Sequence, residues 1–221
     1  MMELTGEYPS LVAERLAKGE IDVGLVPVAA LKAIPNGIIV GSHCIATEGE
    51  AASVCLFSEQ PIENIEKVIL DYQSRTSVAL LYVLLHRFWK KEVQFEAASD
   101  DSYIDKISGT TAGLIIGDRA LRSRNKFPFV YDLGLAWKQM TGLPFVFAVW
   151  ASIKPLPAEF IDAFDKANDL GLAKINDVVK GLENNTGYDL LQYYTENMVY
   201  RLDDIKREAI RLFWREMDAL P

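Results

Sequence analysis

The apolar run F-V-F-A-V-W-A at 145–151 limits the folds open to this chain more than any other feature of its sequence. A strand with one face in solvent alternates apolar and polar residues, and this run contains no polar residue. We therefore predict a strand that is covered on both faces or that crosses between two domains. Gly142 and Pro144 precede it, which is typical where a helix ends and a new element begins. Glycine also leaves the backbone amides of such a junction open to a ligand.

Short strand and helix patterns alternate along the chain before this run. Strands are predicted at 21–26, 38–40, 52–57, 67–71, 94–96 and 112–116. Residues 41–49 are predicted to be irregular and accessible to a ligand. Helices are predicted at 157–180, 187–197 and 202–220, with no strand between them. This order predicts an α/β fold with a mostly parallel sheet and a helical C-terminal segment.

The charge and hydropathy of the chain restrict its partners. A net charge of -8 argues against a nucleic-acid partner, because phosphate recognition needs a basic face. A small anionic ligand is compatible with this charge, since it contacts only a few local donors. No apolar run approaches the roughly 20 residues that span a bilayer, and the N-terminal residues lack the basic and hydrophobic segments of a signal peptide. We therefore expect a cytoplasmic protein with no membrane partner.

Residue types that bind metals or nucleotides do not form a known motif in this sequence. It contains no H-E-x-x-H, Walker A or G-x-G-x-x-G pattern, so we expect neither a metal nor a cofactor. Cys44 and Cys55 are predicted to be reduced thiols that pack as small apolar groups. His43 and His86 form no evident catalytic triad, and a ligand-binding role is the less favoured interpretation for His43.

Two strand-to-helix junctions carry the residues that suit an anion. Ser74, Arg75, Thr76 and Ser77 lie at a predicted helix start, where free N–H groups, hydroxyls and a guanidinium would serve a carboxylate. The alternative is that Ser74 only caps the helix. The second junction is Gly117-Asp118, where Asp118 is also an ordinary cap. Ser53 begins a predicted strand and can hydrogen-bond either a ligand or its own backbone.

Four segments together resemble the chorismate dehydratases of the futalosine route to menaquinone. They are G-E-A-A-S-V at 49–54, Q-S-R-T-S at 73–77, G-D-R-A-L at 117–121 and Y-D-L-G-x-x-W-x-x-x-T-G-L-P-F-V-F-A-x-W at 131–150. The resemblance runs from about Tyr8 to the C-terminus. It implies a two-lobed fold similar to type II periplasmic binding proteins, with residues 1–54 and 147–221 in the first lobe and 55–146 in the second. Residues 53–58 would leave the first lobe, and 145–152 would return to it.

This resemblance also implies an activity. Family members are cytosolic and remove water from chorismate, giving 3-[(1-carboxyvinyl)oxy]benzoate without a metal or cofactor. Ser53 is the catalytic residue that the resemblance implies, and a carboxylate of the substrate is our candidate for the base. The residues expected to bind the substrate are Ser74, Arg75, Thr76, Ser77, Gly117, Asp118, Gly142, Leu143 and Pro144.

One departure from the family concerns the N-terminus. Members begin with a strand and turn resembling V-S-Y-L-N, whose asparagine is counted as catalytic, and nothing in residues 1–7 matches it. We therefore expect an incomplete first lobe, a homodimer that covers the missing strand, and weak or no activity.

Two other functions are weighed against this one. The sibling enzyme 1,4-dihydroxy-6-naphthoate synthase would need a catalytic histidine near the cleft. A non-catalytic binding protein for a small carboxylate would need only the anion site.

Overall fold

The computed structural model describes residues 3–220. Its strands are β1 (Gly24–Pro27), β2 (Ile38–Thr47), β3 (Val54–Ser58), β4 (Lys67–Leu70), β5 (Gln94–Ala97), β6 (Thr111–Ile116), β7 (Phe129–Asp132), β8 (Phe145–Ser152) and β9 (Val199–Arg201). Its α-helices are α1 (Pro9–Ala17), α2 (Val28–Leu31), α3 (Arg75–Val83), α4 (Asp118–Ser123), α5 (Leu133–Thr141), α6 (Ala158–Leu172), α7 (Ile175–Lys180), α8 (Leu190–Gln192) and α9 (Asp204–Asp218). Short 3₁₀ segments lie at Ile62–Asn64 and Asp101–Lys106, and π-helical turns at Leu84–Phe88 and Tyr193–Asn197.

The strands form two sheets, and the predicted α/β class is confirmed. The first sheet has the order β1-β8-β2-β9, and the second has the order β5-β4-β6-β3-β7. The chain passes from the first sheet to the second through residues 48–53, which we call the crossing segment. It returns through α5 into β8.

Strand β8 lies in the interior of the first sheet. It pairs antiparallel with β1 on one side and with β2 on the other, so that Val149 lies opposite both Val26 and Cys44. Along the strand only Phe147 and Trp150 keep intermediate exposure, and the other residues are buried. The prediction of a strand covered on both faces is therefore confirmed.

The prediction of a mostly parallel sheet is wrong. All pairings of the first sheet are antiparallel, and in the second sheet only β4 with β5 and β4 with β6 are parallel. The physical reason is the crossing topology. Strand β8 inserts between β1 and β2, and β3 inserts between β6 and β7, in each case against the direction of its neighbours.

Two local predictions also need correction. Residues 41–49 are mostly not irregular, because β2 continues to Thr47 through a register shift beside Gly41, whose φ is +68°, and only residues 48–49 lie outside it. The C-terminal region is not purely helical, because β9 pairs with β2 at the edge of the first sheet. A strand of 3 residues is too short to show alternation in sequence.

A continuous apolar core reaches from one sheet to the other. It contains Val26 and Val149 of the first sheet together with Val68 and Leu114 of the second. Helix α3 packs against α2, α5, α9 and β8, so it joins the two halves of the molecule. Within residues 3–220, no helix combines the length and apolar character needed to cross a membrane.

Candidate functional site

The carboxyl ends of the parallel strands β4 and β6 bring two of the predicted segments together. Asp71 follows β4 and Arg119 follows Gly117 at the end of β6. Arg119 Nη2 lies 2.8 Å from Asp71 Oδ2, which also accepts a 2.9 Å hydrogen bond from the hydroxyl of Tyr103. Asp71 is buried, so this ion pair fixes the relative position of the loops that carry Ser74 and Asp118.

Helix α3 begins with a hydroxyl cluster. Ser74 caps the helix, because its Oγ accepts a 3.1 Å bond from Ser77 N and lies 2.9 Å from Ser77 Oγ. Thr76 Oγ1 accepts a 3.2 Å bond from Ala29 N. Arg75 instead points outward, with Nη2 3.3 Å from Glu14 Oε1 of α1. Thr76 and Ser77 can therefore still donate a hydroxyl hydrogen to an anion, whereas Ser74 is already engaged by the helix.

The bond from Ala29 to Thr76 joins the two lobes. Ala29 lies in α2, directly after β1 of the first sheet, and Thr76 lies in α3, after β4 of the second. Thr76 and Ser77 are 1% and 2% exposed. In this conformation both hydroxyls are closed off from solvent.

The crossing segment ends in a strained turn next to Ser53. Ser53 N donates a 2.7 Å bond to Ala51 O, and the central residue Ala52 has φ +61°. A γ-turn with positive φ is rare and strained, and alanine adopts it only where the surroundings hold it. Strain of this kind concentrates at functional sites.

Asp132, at the end of β7, holds this turn in place. Its Oδ1 accepts a 3.0 Å bond from Ala51 N, and its Oδ2 accepts a 2.7 Å bond from Ala52 N. Arg124 Nη1 donates a 3.0 Å bond to Ala52 O. Burial raises the pKa of the Asp132 carboxyl, although bonds from the backbone amides of Ala51, Leu135 and Ala52 oppose that rise.

Ser53 itself is 4% exposed and contacts two other parts of the chain. Its carbonyl oxygen accepts a 2.8 Å bond from Gly117 N. Its Oγ lies 2.9 Å from the hydroxyl of Tyr193 in the C-terminal segment. Burial raises the pKa of Tyr193, although the hydrogen bond with Ser53 opposes that rise; the charges of nearby Tyr194 and Asp118 act in the same direction as burial. The structure thus groups Ser53, Gly117, Asp118 and Tyr193.

Sequence reasoning missed Tyr193. The pair Tyr193-Tyr194 belongs to no motif that we recognised, and it lies 140 positions from Ser53 in the chain. No local pattern could have placed it beside the serine.

The junction Gly142–Leu143–Pro144 makes contacts within its own connection. Gly142 ends α5 with φ +74° and donates a 2.8 Å bond to Lys138 O. Leu143 N donates a 3.1 Å bond to Thr141 Oγ1, and the Trp137 indole donates a 3.0 Å bond to Pro144 O. These bonds end α5 and start β8. None of them reaches Ser53 or the start of α3, so the structure does not bring this junction together with the other predicted residues through hydrogen bonds.

Neither histidine is hydrogen-bonded to Ser53 or Thr76 among the described residues. His43 is buried, with Nδ1 3.0 Å from Asp165 Oδ1 and Nε2 3.0 Å from Asp169 Oδ1. His86 is exposed on the π-helical turn after α3. Over the described range 3–220, no group of three or more His, Cys, Asp or Glu side chains could hold a metal ion.

Comparison with known proteins identifies relatives over nearly the whole chain. A family model described as menaquinone biosynthesis matches residues 1–219. A chorismate dehydratase from Thermus thermophilus is 29% identical in an alignment 233 residues long. The alignment covers 93% of this chain and 83% of that protein.

Solved structures with the same architecture include two proteins of low sequence identity. Protein AF1704 from Archaeoglobus fulgidus has a TM-score of 0.69 at 15% identity, covering 97% of this chain and 84% of that one. The periplasmic aliphatic sulphonate binding protein SsuA from Escherichia coli has a TM-score of 0.60 at 16% identity, covering 96% and 73%. At this level of identity the likeness concerns the fold alone. The fold is that of type II periplasmic binding proteins, as the sequence resemblance implied.

Proposed function

Because the chain belongs to the menaquinone biosynthesis family, we propose that it removes water from chorismate to give 3-[(1-carboxyvinyl)oxy]benzoate, the dehydration step of the futalosine route. The observation that carries this proposal is the buried Ser53 hydroxyl, held after a strained turn beside Gly117. The likeness to a chorismate dehydratase over 93% of the chain supports it.

The reaction asks mainly for orientation. A ring C–H bond and the C–O bond of the ring hydroxyl break, a third ring double bond forms, and water leaves. The aromatic product supplies the driving force, so the protein needs to hold the ring and stabilise the departing hydroxyl. Chorismate carries two carboxylates, which give the site two charges to hold.

Thr76 and Ser77 are suited to bind one of these carboxylates. Both retain a hydroxyl hydrogen to donate, and both lie in the first turn of α3, where the helix dipole favours negative charge. Ser53 then donates a hydrogen bond to the departing ring hydroxyl and keeps its own proton. A carboxylate of the substrate accepts the ring proton and passes it to the departing hydroxyl, so that water leaves.

The sibling 1,4-dihydroxy-6-naphthoate synthase activity is not supported by the histidines. His43 is engaged on both ring nitrogens by Asp165 and Asp169. His86 is exposed on a different element. Among the described hydrogen bonds, neither histidine contacts Ser53 or Thr76.

Replacement of Ser53 tests the proposal. We expect Ser53→Ala to lower kcat for chorismate by about 100-fold or more, because removing one preorganised hydrogen-bond donor from the developing charge typically costs that much. The formation of the aromatic product, followed by absorbance and confirmed by mass, is the measurement.

Ser58→Ala is the matched control. Ser58 is the last residue of β3, 0% exposed, and its Oγ accepts a bond from Gln60 N within the following turn. This variant should keep kcat within about twofold of the parent, since no reacting group is lost. Full turnover by Ser53→Ala, with a folded protein by circular dichroism, would remove Ser53 from the mechanism.

A further inference from the structure

We infer that Tyr193 is a positioning residue, which fixes the hydroxyl of Ser53 so that the hydrogen of that hydroxyl is directed at the substrate. This inference rests on the proposed function, because it assigns a role within the same dehydration. It adds a residue from the C-terminal segment to a site otherwise built from the crossing segment and the second sheet.

The backbone around Tyr193 is specialised for this contact. Residues Tyr193–Asn197 form a π-helical turn, a rare conformation that is often found at functional sites. The two ends of this turn both hold the crossing segment. Tyr193 lies 2.9 Å from Ser53 Oγ, and Asn197 Nδ2 donates a 3.0 Å bond to Glu50 O. The turn therefore aligns the phenol with the serine through two separate bonds.

The backbone of Ser53 is already fixed, so only its side chain needs orientation. Asp132 accepts bonds from the preceding turn, Arg124 donates a bond to it, and Gly117 N donates to the Ser53 carbonyl. The Cα–Cβ bond of serine still allows three staggered rotamers. Among the described residues, Tyr193 is the only side chain hydrogen-bonded to Ser53 Oγ.

The phenol is the better donor of the two hydroxyls. Burial raises the pKa of Tyr193, so the phenol keeps its proton at neutral pH. A phenol O–H is also more acidic than an aliphatic alcohol, so in this proposal the phenol donates and the serine oxygen accepts. When Ser53 Oγ accepts from Tyr193, its own hydrogen remains available for a second acceptor, which in this proposal is the substrate.

A tyrosine that served only to fill space would be replaceable by phenylalanine. Tyr193→Phe removes the hydroxyl and keeps the ring, which packs against Tyr194 with centroids 4.9 Å apart. We expect this variant to lower kcat about tenfold with KM changed less than twofold, because one oriented hydrogen bond is lost and no substrate contact is removed. Tyr194→Phe is the matched control, with an expected kcat within twofold of the parent.

A double-mutant cycle separates positioning from an independent contribution. If Tyr193 acts through Ser53, then Ser53→Ala combined with Tyr193→Phe should be no slower than Ser53→Ala alone. Multiplied losses would overturn the inference, and so would a Tyr193→Phe variant that turns over like the parent.

A second measurement keeps the inference testable if Tyr193→Phe is poorly folded. Incorporation of 3,5-difluorotyrosine at position 193 retains the hydroxyl and makes it more acidic. A phenol that must donate then requires the alkaline limb of the kcat profile to move to lower pH, and an unmoved limb would overturn the inference. Failure of the proposed function looks different, since the parent protein would then form no aromatic product at all, and both proposals would fall together.

Discussion

At the scale of single residues, Gly134 shows how closely the elements around the candidate site approach each other. It lies in the first turn of α5, against the crossing segment. A Cβ at this position would lie 2.6 Å from Thr47 Cγ2 and 2.8 Å from Gly49 O. The second of these neighbours is backbone, so it cannot move aside without moving the segment that carries Ser53.

Gly134→Ala is therefore expected to destabilise the protein by about 1–3 kcal/mol, the usual cost of overpacking. Gly171→Ala is the matched control, because Gly171 lies in α6 with no atom within 4 Å of its added Cβ. That variant should stabilise the protein by about 0.5–1 kcal/mol, because alanine is the better helix former. Urea denaturation of both variants measures the two effects. Equal changes of the same sign would contradict the close approach.

The residues also show what sequence could and could not reveal about the site. Thr76, Ser77 and Gly117 lie at helix starts after strands, as the local pattern predicted, and their binding of a substrate stays a prediction. Tyr193 and Asp132 could not be identified in this way. Their roles depend on contacts with Ser53 and Ala52, which lie 140 and 80 positions away in sequence.

At the scale of elements, α6 is attached to the first sheet by an ionic cluster. None of its residues is fully buried. Ser42 N and Ser42 Oγ each donate a 3.0 Å bond to Asp165, and His43 lies between Asp165 and Asp169. Arg201 Nη2 lies 2.7 Å from Asp169 Oδ1. The polar residues after Gly41 therefore belong to a strand, and sequence suggested a loop because their partners lie more than 120 positions away.

This cluster makes the attachment of α6 dependent on pH. Partial burial raises the pKa of Asp165, but bonds from Ser42 and His43 outweigh it and hold that pKa below its ordinary value. The resulting stabilisation is present above the unfolded-state pKa of about 4. It is lost as the pH falls through the lower, folded-state value. We expect hydrogen exchange of α6 to accelerate below that pH before exchange of β8 does.

The Asp165→Asn variant tests the cause. It should exchange faster in α6 already at neutral pH, with a weaker further response to acid. Asp162→Asn is the control on the same helix, since Asp162 is exposed, and it should exchange like the parent. An acid response that survives unchanged in Asp165→Asn would assign the effect to another group.

At the scale of the whole molecule, the two lobes meet over the residues proposed to bind substrate. The Ala29–Thr76 bond spans the lobes, and Thr76 is 1% exposed. Substrate entry therefore requires an opening motion between the sheets, which in two-lobed proteins is a hinge movement. A thiol placed at position 76 would report that motion, because it can be labelled only in the open form.

The native cysteines leave this measurement free of background. Cys44 and Cys55 are both buried. Burial raises the pKa of Cys44 to about 12 and also raises the pKa of Cys55, so neither supplies thiolate at neutral pH. The parent protein should therefore react negligibly with a thiol reagent while it is folded.

We expect Thr76→Cys to react about 100-fold more slowly than Ser99→Cys, because residue 99 is exposed and needs no opening. The dehydration product should slow the labelling of residue 76 further and leave that of residue 99 unchanged, since a ligand held between the lobes favours the closed form. If both positions react equally fast, the lobes stand open in solution. The substrate would then meet Thr76 and Ser77 without any closure.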